Sequence, residues 1–177
     1  MRDAIQHPVV ALYNSWAIDG RDVVMEATHC SAFDEMWEQV FENLLLRGRQ
    51  FTAIDGGCGN AWAARRMADA ALCTSVVGVD AAALMIDRAV ELSRNHGKVR
   101  CCVGNIATWQ PEDRADVVSL CETLYLLDNP EAALSHIVRS WLKPVRLSPI
   151  AGCLFPVVWV CLGLCPRRQG GNGGSPD

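Results

Sequence analysis

Short apolar runs alternate with stretches of helical periodicity through most of the chain. The runs that we interpret as strands lie at residues 51–55, 75–80, 99–103 and 116–121. Strands of this length that are separated by helical segments are typical of right-handed βαβ units, in which the strands are parallel. The pattern therefore predicts an α/β protein with a parallel sheet of four or five strands and helices on both of its faces.

Two helices have recognisable boundaries. Ser31 is a candidate N-cap of a helix that ends near Gly48. Asn129 can cap another helix. Pro130 suits its first position, where the backbone amide has no partner within the helix, and Pro144 prevents the helix from continuing. The predicted apolar face of the first helix consists of Phe33, Met36, Trp37, Val40, Phe41, Leu44 and Leu45, and that of the second consists of Leu134, Ile137, Val138 and Trp141.

Composition narrows the class of protein. The chain of 177 residues is long enough for one domain with a sizeable core, and its formal net charge of −4 gives no overall signal for nucleic acid. None of the nine cysteines forms the C-x2-C pair of a structural zinc site, so we expect buried thiols in a reducing compartment and no metal. The N-terminus lacks the apolar core of a secretory signal, and we predict a cytoplasmic location.

The candidate chemistry begins where the first predicted strand ends. Asp55 closes this strand, and Gly57 and Gly59 then lead into an alanine-rich, helix-prone segment. A tight turn of this kind lets a nucleotide-like ligand approach the backbone closely. The second predicted strand ends at another acid, Asp80, roughly twenty residues further on, where a carboxylate can bind both ribose hydroxyls of an adenosine.

The stretch from Asp55 to Ala61 resembles the first motif of the class I S-adenosylmethionine-dependent methyltransferases. In that family an acid is followed by glycines at every second position. Asp55, Gly57 and Gly59 match this pattern, as does Cys58, whereas Ala61 replaces the last glycine.

The resemblance extends from about Tyr13 to Pro144 and implies a Rossmann-like fold, S-adenosylmethionine as cofactor and methyl transfer to a small-molecule acceptor. A nicotinamide-dependent oxidoreductase is the rival class. Trp62 argues against it, because a dinucleotide-binding fingerprint needs glycine or alanine at that position.

The resemblance also implies roles for individual residues. Asp55 would bind the ammonium group of the cofactor, Asp80 the ribose, and Asn105 the adenine amine. The implied cofactor-binding residues are Asp55, Gly57, Cys58, Gly59, Asp80, Ala81, Asn105, Ile106 and Cys121, and the implied substrate-binding residues are Tyr13, Glu122 and Tyr125. No catalytic residue is assigned.

Residues 1–30 resemble a lid segment, in which Tyr13 or Trp16 covers the methionine end of the cofactor and Arg21 or His29 faces the acceptor. A plain N-terminal helix with an aromatic anchor is the alternative. Some of the implied site residues also have a purely structural alternative. Asp55 could accept hydrogen bonds from amides of its own loop, and Asn105 could close a turn. Glu122 could be a surface acid, and Tyr125 could be a packing residue.

We predict one domain at 1–144, shortened in its C-terminal half, an atypical apolar segment at 145–165 and a disordered tail at 166–177. Three interpretations of the apolar segment remain open: an edge strand at 157–162 beside strand four, a membrane anchor within 147–165, or a truncated or spliced end. The alternative to an active enzyme is therefore a chain that binds cofactor but is catalytically incomplete. The oligomeric state is not predicted.

Overall fold

The computed structural model of the chain describes residues 7–45, 49–144 and 157–161. It contains the helices α1 (Pro8–Asp19), α2 (Asp22–Leu45), α3 (Trp62–Ala68), α4 (Ala83–Leu92) and α5 (Pro130–Ser140). The strands are β1 (Phe51–Gly56), β2 (Cys73–Asp80), β3 (Val99–Val103), β4 (Val117–Cys121) and β5 (Val157–Cys161). The predicted first four strands are thus confirmed to within two residues.

All strand pairs that the structure describes are parallel, and the spatial order is β3-β2-β1-β4-β5. The order reverses between β1 and β4, because the chain builds outwards from β1 to β3 before it returns beside β1. Ligands of open α/β sheets bind beyond the carboxyl ends of the strands at such a switch point. The predicted Rossmann-like parallel sheet is confirmed.

Two apolar layers cover the sheet, one on each face. Phe33 of α2, Met67 of α3 and Ala89 of α4 are fully buried in the first layer. Ile137 and Trp141, from α5 and the turn that follows it, are fully buried in the second. Residues within one strand alternate between the layers, as a sheet that is buried on both faces requires.

Helix α5 lies where the sequence predicts it, but one residue of its predicted apolar face is exposed. The side chain of Asn129 caps the helix by accepting a hydrogen bond of 3.0 Å from the amide of Ala132. Ile137 is 0% exposed, whereas Val138, predicted on the same face, is 51% exposed. One residue along a helix turns the side chain by about 100°, and the buried stripe of this helix is too narrow to include it.

The predicted cap at Ser31 is wrong, because α2 runs without a break from Asp22 to Leu45. No glycine or proline interrupts this stretch. The chain instead turns at Gly20, whose φ of 71° ends α1 in the left-handed conformation. The predicted helix end near Gly48 lies outside the described residues.

The apolar segment at 145–165 is described only at 157–161. These residues pair in parallel with β4, from Val117 opposite Val157 to Cys121 opposite Cys161. This is the pairing that the edge-strand interpretation predicts. The predicted tail at 166–177 lies outside the described residues. Among the helices that the structure describes, none has both the length and the apolar character needed to cross a bilayer.

Candidate active site

A cavity of about 520 Å³ lies beyond the carboxyl ends of the strands. Its walls come from α1 and from the loops that follow β1, β2, β3 and β4. The predicted site residues that line it are Tyr13, Asp55, Gly57, Cys58, Gly59, Asp80, Ala81, Asn105, Ile106, Cys121 and Glu122. Loops far apart in the sequence therefore converge on one site, since the strands of a parallel sheet all end at the same edge.

The loop after β1 forms a turn that is bonded to the end of β2. The amides of Gly57 and Cys58 donate to the carbonyl of Val79 at 2.8 and 3.2 Å. Gly57 and Gly59 adopt φ values of 71° and 53°, which lie in the left-handed region that favours glycine. A Cβ atom on Gly57 would lie 2.3 Å from Oγ1 of Thr123, whereas one on Gly59 would enter open space.

Ala61 also adopts the left-handed conformation, with a φ of 62°. For an L-residue this conformation costs roughly 1–2 kcal/mol. The Ala61 amide donates to the Cys58 carbonyl at 2.8 Å, and its side chain is fully buried. The turn therefore keeps its shape with alanine in place of the last glycine. The neighbouring Trp62 packs edge-on against Phe33 of α2, with ring centroids 5.0 Å apart.

Asp55 is a buried carboxylate at the floor of the cavity. It is 1% exposed, and neither of its carboxylate oxygens has a hydrogen-bond partner in the described part of the chain. Burial raises the pKa of Asp55 to about 7, and the charge of Asp80 also raises it. The nearby Ser119 hydroxyl and Ala64 amide lower this pKa by less, and neither completes a hydrogen bond of good geometry to the carboxylate. A buried charged group without a partner is costly, so Asp55 is suited to receive a cation from a ligand.

Asp80 differs from Asp55 because its oxygens already accept hydrogen bonds. Oδ2 accepts from the amide of Gly59 at 2.9 Å, and Oδ1 accepts from the amide of Ala82 at 2.8 Å. Burial nevertheless raises the pKa of Asp80 above its ordinary value. Each carboxylate oxygen has two lone pairs, and one on each remains for a ligand hydroxyl.

Asn105 lines the cavity and also closes a turn, since its Oδ1 accepts from the amide of Ala107 at 2.9 Å. This is the structural alternative that the sequence left open, and it does not exclude a second bond to the same oxygen. Ile106 lies beside it and is 5% exposed. Together they form the wall at the end of β3.

Helix α1 brings aromatic residues to the opposite wall. Asn14 fixes this helix by accepting a hydrogen bond of 3.0 Å from the amide of Leu84 in α4. Tyr13 and Trp16 both line the cavity, and their ring centroids are 5.1 Å apart. Burial raises the pKa of Tyr13, and the charges of Asp80 and Glu122 raise it further.

The lid interpretation also placed Arg21 or His29 towards the acceptor, and the structure places these two residues differently. His29 lines the cavity. Arg21 is exposed and is not among the lining residues that the structure describes.

Glu122 follows β4 in a strained backbone conformation, with a φ of 52°. Its Oε2 accepts a hydrogen bond of 2.9 Å from the hydroxyl of Tyr125, while its Oε1 is buried and has no partner in the described part of the chain. Tyr125 itself is 57% exposed and lies outside the described cavity lining. Burial, and then its bond to Glu122, raise the pKa of Tyr125.

Some residues of the site were missed in the sequence. Asp22 lines the cavity at 3% exposure, accepting from Asn60 Nδ2 at 3.1 Å and from Arg88 Nε at 3.3 Å. Thr123 packs under the glycine turn, with Oγ1 at 2.7 Å from the Cys121 carbonyl. No local pattern marks Asp22, because its partners lie 38 and 66 residues away.

The model of the methyltransferase domain family matches residues 53–145, which is just over half of the chain. The chain therefore belongs to this family, and the prediction of a class I S-adenosylmethionine-dependent methyltransferase is confirmed. The matched residues include every predicted cofactor-binding residue. Among curated protein sequences, none matches the chain.

Solved structures show the same fold. A chain from the complex of the Haloferax volcanii Trm112 methyltransferase activator with a methyltransferase is 26% identical, with a TM-score of 0.57, and the match covers 75% of this chain and 56% of that chain. The DhpI–SAH complex is 20% identical, with a TM-score of 0.56 and coverage of 76% and 62%.

The N-methyltransferase NodS from Bradyrhizobium japonicum WM9, in complex with S-adenosylhomocysteine (SAH), is 18% identical, with a TM-score of 0.51 and coverage of 64% and 58%. The chain thus spans less than two thirds of the length of each of these three proteins.

Proposed function

We propose that this chain transfers a methyl group from S-adenosylmethionine to a small-molecule acceptor. The observation that carries the proposal is the pairing of Asp55 and Asp80 on one cavity, next to a turn whose Gly59 leaves open space. A buried carboxylate without a partner fits the ammonium group of the cofactor. Cytoplasmic location stays a prediction.

The residues around the glycine turn would hold the cofactor. Asp55 would bind the ammonium group, Asp80 the ribose hydroxyls and Asn105 the adenine amine. When bound, the cofactor supplies a methyl group on a sulfonium, which needs little chemical activation. The contribution of the chain is then to orient the acceptor and to exclude water, for which a cavity that is walled by α1 is suited.

The acceptor would occupy the part of the cavity between α1 and the loop after β4. Tyr13 and Glu122 line this part, and the Tyr125 hydroxyl holds one oxygen of Glu122. We assign Tyr13 and Glu122 to acceptor binding. Tyr125 would act through Glu122 as a positioning residue.

Titration calorimetry tests the proposal directly. We expect the folded chain to bind S-adenosylmethionine and SAH with dissociation constants in the micromolar range, and to give no heat with NADH. Absence of binding by protein that melts cooperatively would contradict the proposal. Binding of NADH alone would favour the oxidoreductase. Tight SAH binding without methyl transfer to any acceptor would indicate the catalytically incomplete alternative.

A further inference from the structure

The cavity wall carries more acidic than basic side chains. Five carboxylates line the cavity, whereas its described lining contains no lysine and no arginine. The carboxylates are Asp22, Asp55, Asp80, Glu122 and Asp128. A cavity of this sign concentrates cations and repels anions.

These carboxylates differ in what already neutralises them. Asp22 is paired through Oδ2 with Arg88 at 3.3 Å, and this cation neutralises its charge although its Oδ1 has no partner in the described residues. Asp55 and Asp80 are the two that the proposed function uses for the cofactor. Asp128 is almost fully exposed and lies 3.5 Å from Nε2 of His7, so water and this neighbour satisfy it. Glu122 is the carboxylate that remains for the acceptor.

The structure holds Glu122 in position to contact the acceptor. Its Oε2 is fixed by Tyr125, and its Oε1 is buried without a partner although it belongs to a residue that lines the cavity. A left-handed φ at a glutamate persists only where the surrounding structure enforces it. Burial without a partner is costly for a carboxylate in the free protein, and a cationic donor would remove that cost.

Aromatic side chains complete the same part of the cavity. Tyr13 and Trp16 line the same cavity as Glu122, and the ring of Trp16 packs against that of Tyr13. Aromatic faces attract ammonium groups, and the attraction is stronger where water is excluded.

We infer that the methyl acceptor is a primary or secondary amine, which binds as its ammonium ion with an N–H group donated to Oε1 of Glu122. This inference rests on the proposed function, because it concerns the acceptor end of the same cavity. The group that receives the methyl is then the nitrogen of an ammonium ion, not a hydroxyl or carboxylate oxygen. Glu122 is thereby the residue that determines specificity for the charge of the acceptor.

The ammonium ion first loses one proton to the carboxylate of Glu122, which passes it to solvent. The nitrogen lone pair then forms a bond to the methyl carbon while the carbon–sulfur bond breaks, and that electron pair stays on sulfur. The products are an N-methylated ammonium ion, a neutral thioether and one released proton.

The experiment compares three probes of the same size on the SAH-loaded chain: benzylamine, benzyl alcohol and benzoate. SAH binding is measured first by calorimetry, and probe binding is then measured by ligand-observed NMR. We expect benzylamine to bind at least about tenfold more tightly than benzyl alcohol. Benzoate should bind more weakly than either. Glu122→Gln should abolish the preference while SAH affinity stays within about twofold.

Glu112→Gln is the matched control, since it removes the same charge from an exposed residue outside the cavity lining. It should keep the preference for benzylamine. Equal binding of the three probes, no binding of benzylamine, or a preference that survives in Glu122→Gln would overturn the inference. If the unmodified chain binds SAH in any of these cases, the proposed function is not contradicted. If the unmodified chain does not bind SAH, the proposed function itself is refuted.

Discussion

Oδ2 of Asp80 accepts a hydrogen bond of 2.9 Å from the main-chain amide of Gly59. The acid at the end of β2 therefore shapes the glycine turn after β1, as well as facing the cavity itself. One carboxylate thus links two loops that are 21 residues apart in sequence. Its removal should affect both the shape of the site and the binding of a ligand.

Asp80→Ala should weaken SAH binding by about 1–3 kcal/mol, because it removes charge-assisted bonds to the ribose and the anchor of the turn. The free energy of unfolding should also fall by about 1 kcal/mol, from the loss of the bonds to Gly59 and Ala82. Calorimetry and urea unfolding measure the two effects separately. Asp87→Ala is the control, because Asp87 is an exposed residue of α4 outside the cavity lining. An SAH affinity unchanged in Asp80→Ala would remove Asp80 from the site.

The two glycines of the turn should respond differently to the same substitution. Gly57→Ala places a methyl group 2.3 Å from Oγ1 of Thr123 and should lower the free energy of unfolding by roughly 2–4 kcal/mol. Gly59→Ala meets no protein atom within 4 Å and should cost only the backbone term of roughly 1–2 kcal/mol. Its methyl group enters the cavity, however, and should obstruct SAH.

Urea unfolding and calorimetry on both variants check this contrast. The expected result is a large loss of stability in Gly57→Ala and a large loss of affinity in a largely stable Gly59→Ala. If Gly59→Ala binds SAH as the unmodified chain does, the ligand does not approach the turn at this residue.

Asp55 should make folding stability depend on pH. Its pKa is raised from 3.8 to about 7 in the folded chain, chiefly by burial. The folded state therefore holds this proton more tightly than the unfolded state. The contribution to stability is fully present below about pH 4 and is lost as pH rises towards about 7.

Asp55→Asn should flatten this dependence, because asparagine cannot ionise. Relative to the unmodified chain, the free energy of unfolding of the variant should therefore be higher above pH 7 than at pH 4. The change in this difference should be on the order of a few kcal/mol. Urea unfolding across this range measures the slope directly. Asp87→Asn should leave the slope as it is, and an equal slope in Asp55→Asn would show that another group causes it.

Much of the cofactor end of the site could be predicted from the sequence because its determinants are local. The acid, the alternate glycines and the second acid occupy fixed positions at the ends of β1 and β2, so short-range pattern determines where Asp55 and Asp80 lie. Local pattern also located the cap at Asn129, whose partner is three residues away. These features depend on chain geometry more than on distant contacts.

Features that depend on distant contacts could not be predicted. Asp22 is buried only because Asn60 and Arg88 reach it from other elements. The start of α2 was misplaced because Ser31 is compatible with both a cap and a helix interior, and tertiary packing decides between them. The sequence predicts a substrate-binding role for Tyr125, and only the structure shows that its hydroxyl is bonded to Glu122.

Neighbouring residues of α5 provide a test of the sheet packing itself. Ile137 is 0% exposed in the apolar layer under β1 and β4, whereas Val138 is 51% exposed. Ile137→Ala should lower the free energy of unfolding by about 2–5 kcal/mol, from lost burial and the cavity that remains. Val138→Ala should change it by less than about 0.5 kcal/mol, because little apolar surface is returned to water and alanine favours the helix. Urea unfolding of both variants measures the difference. A similar loss in the two would mean that α5 is rotated by about one residue, with the face that the sequence predicted turned towards the sheet.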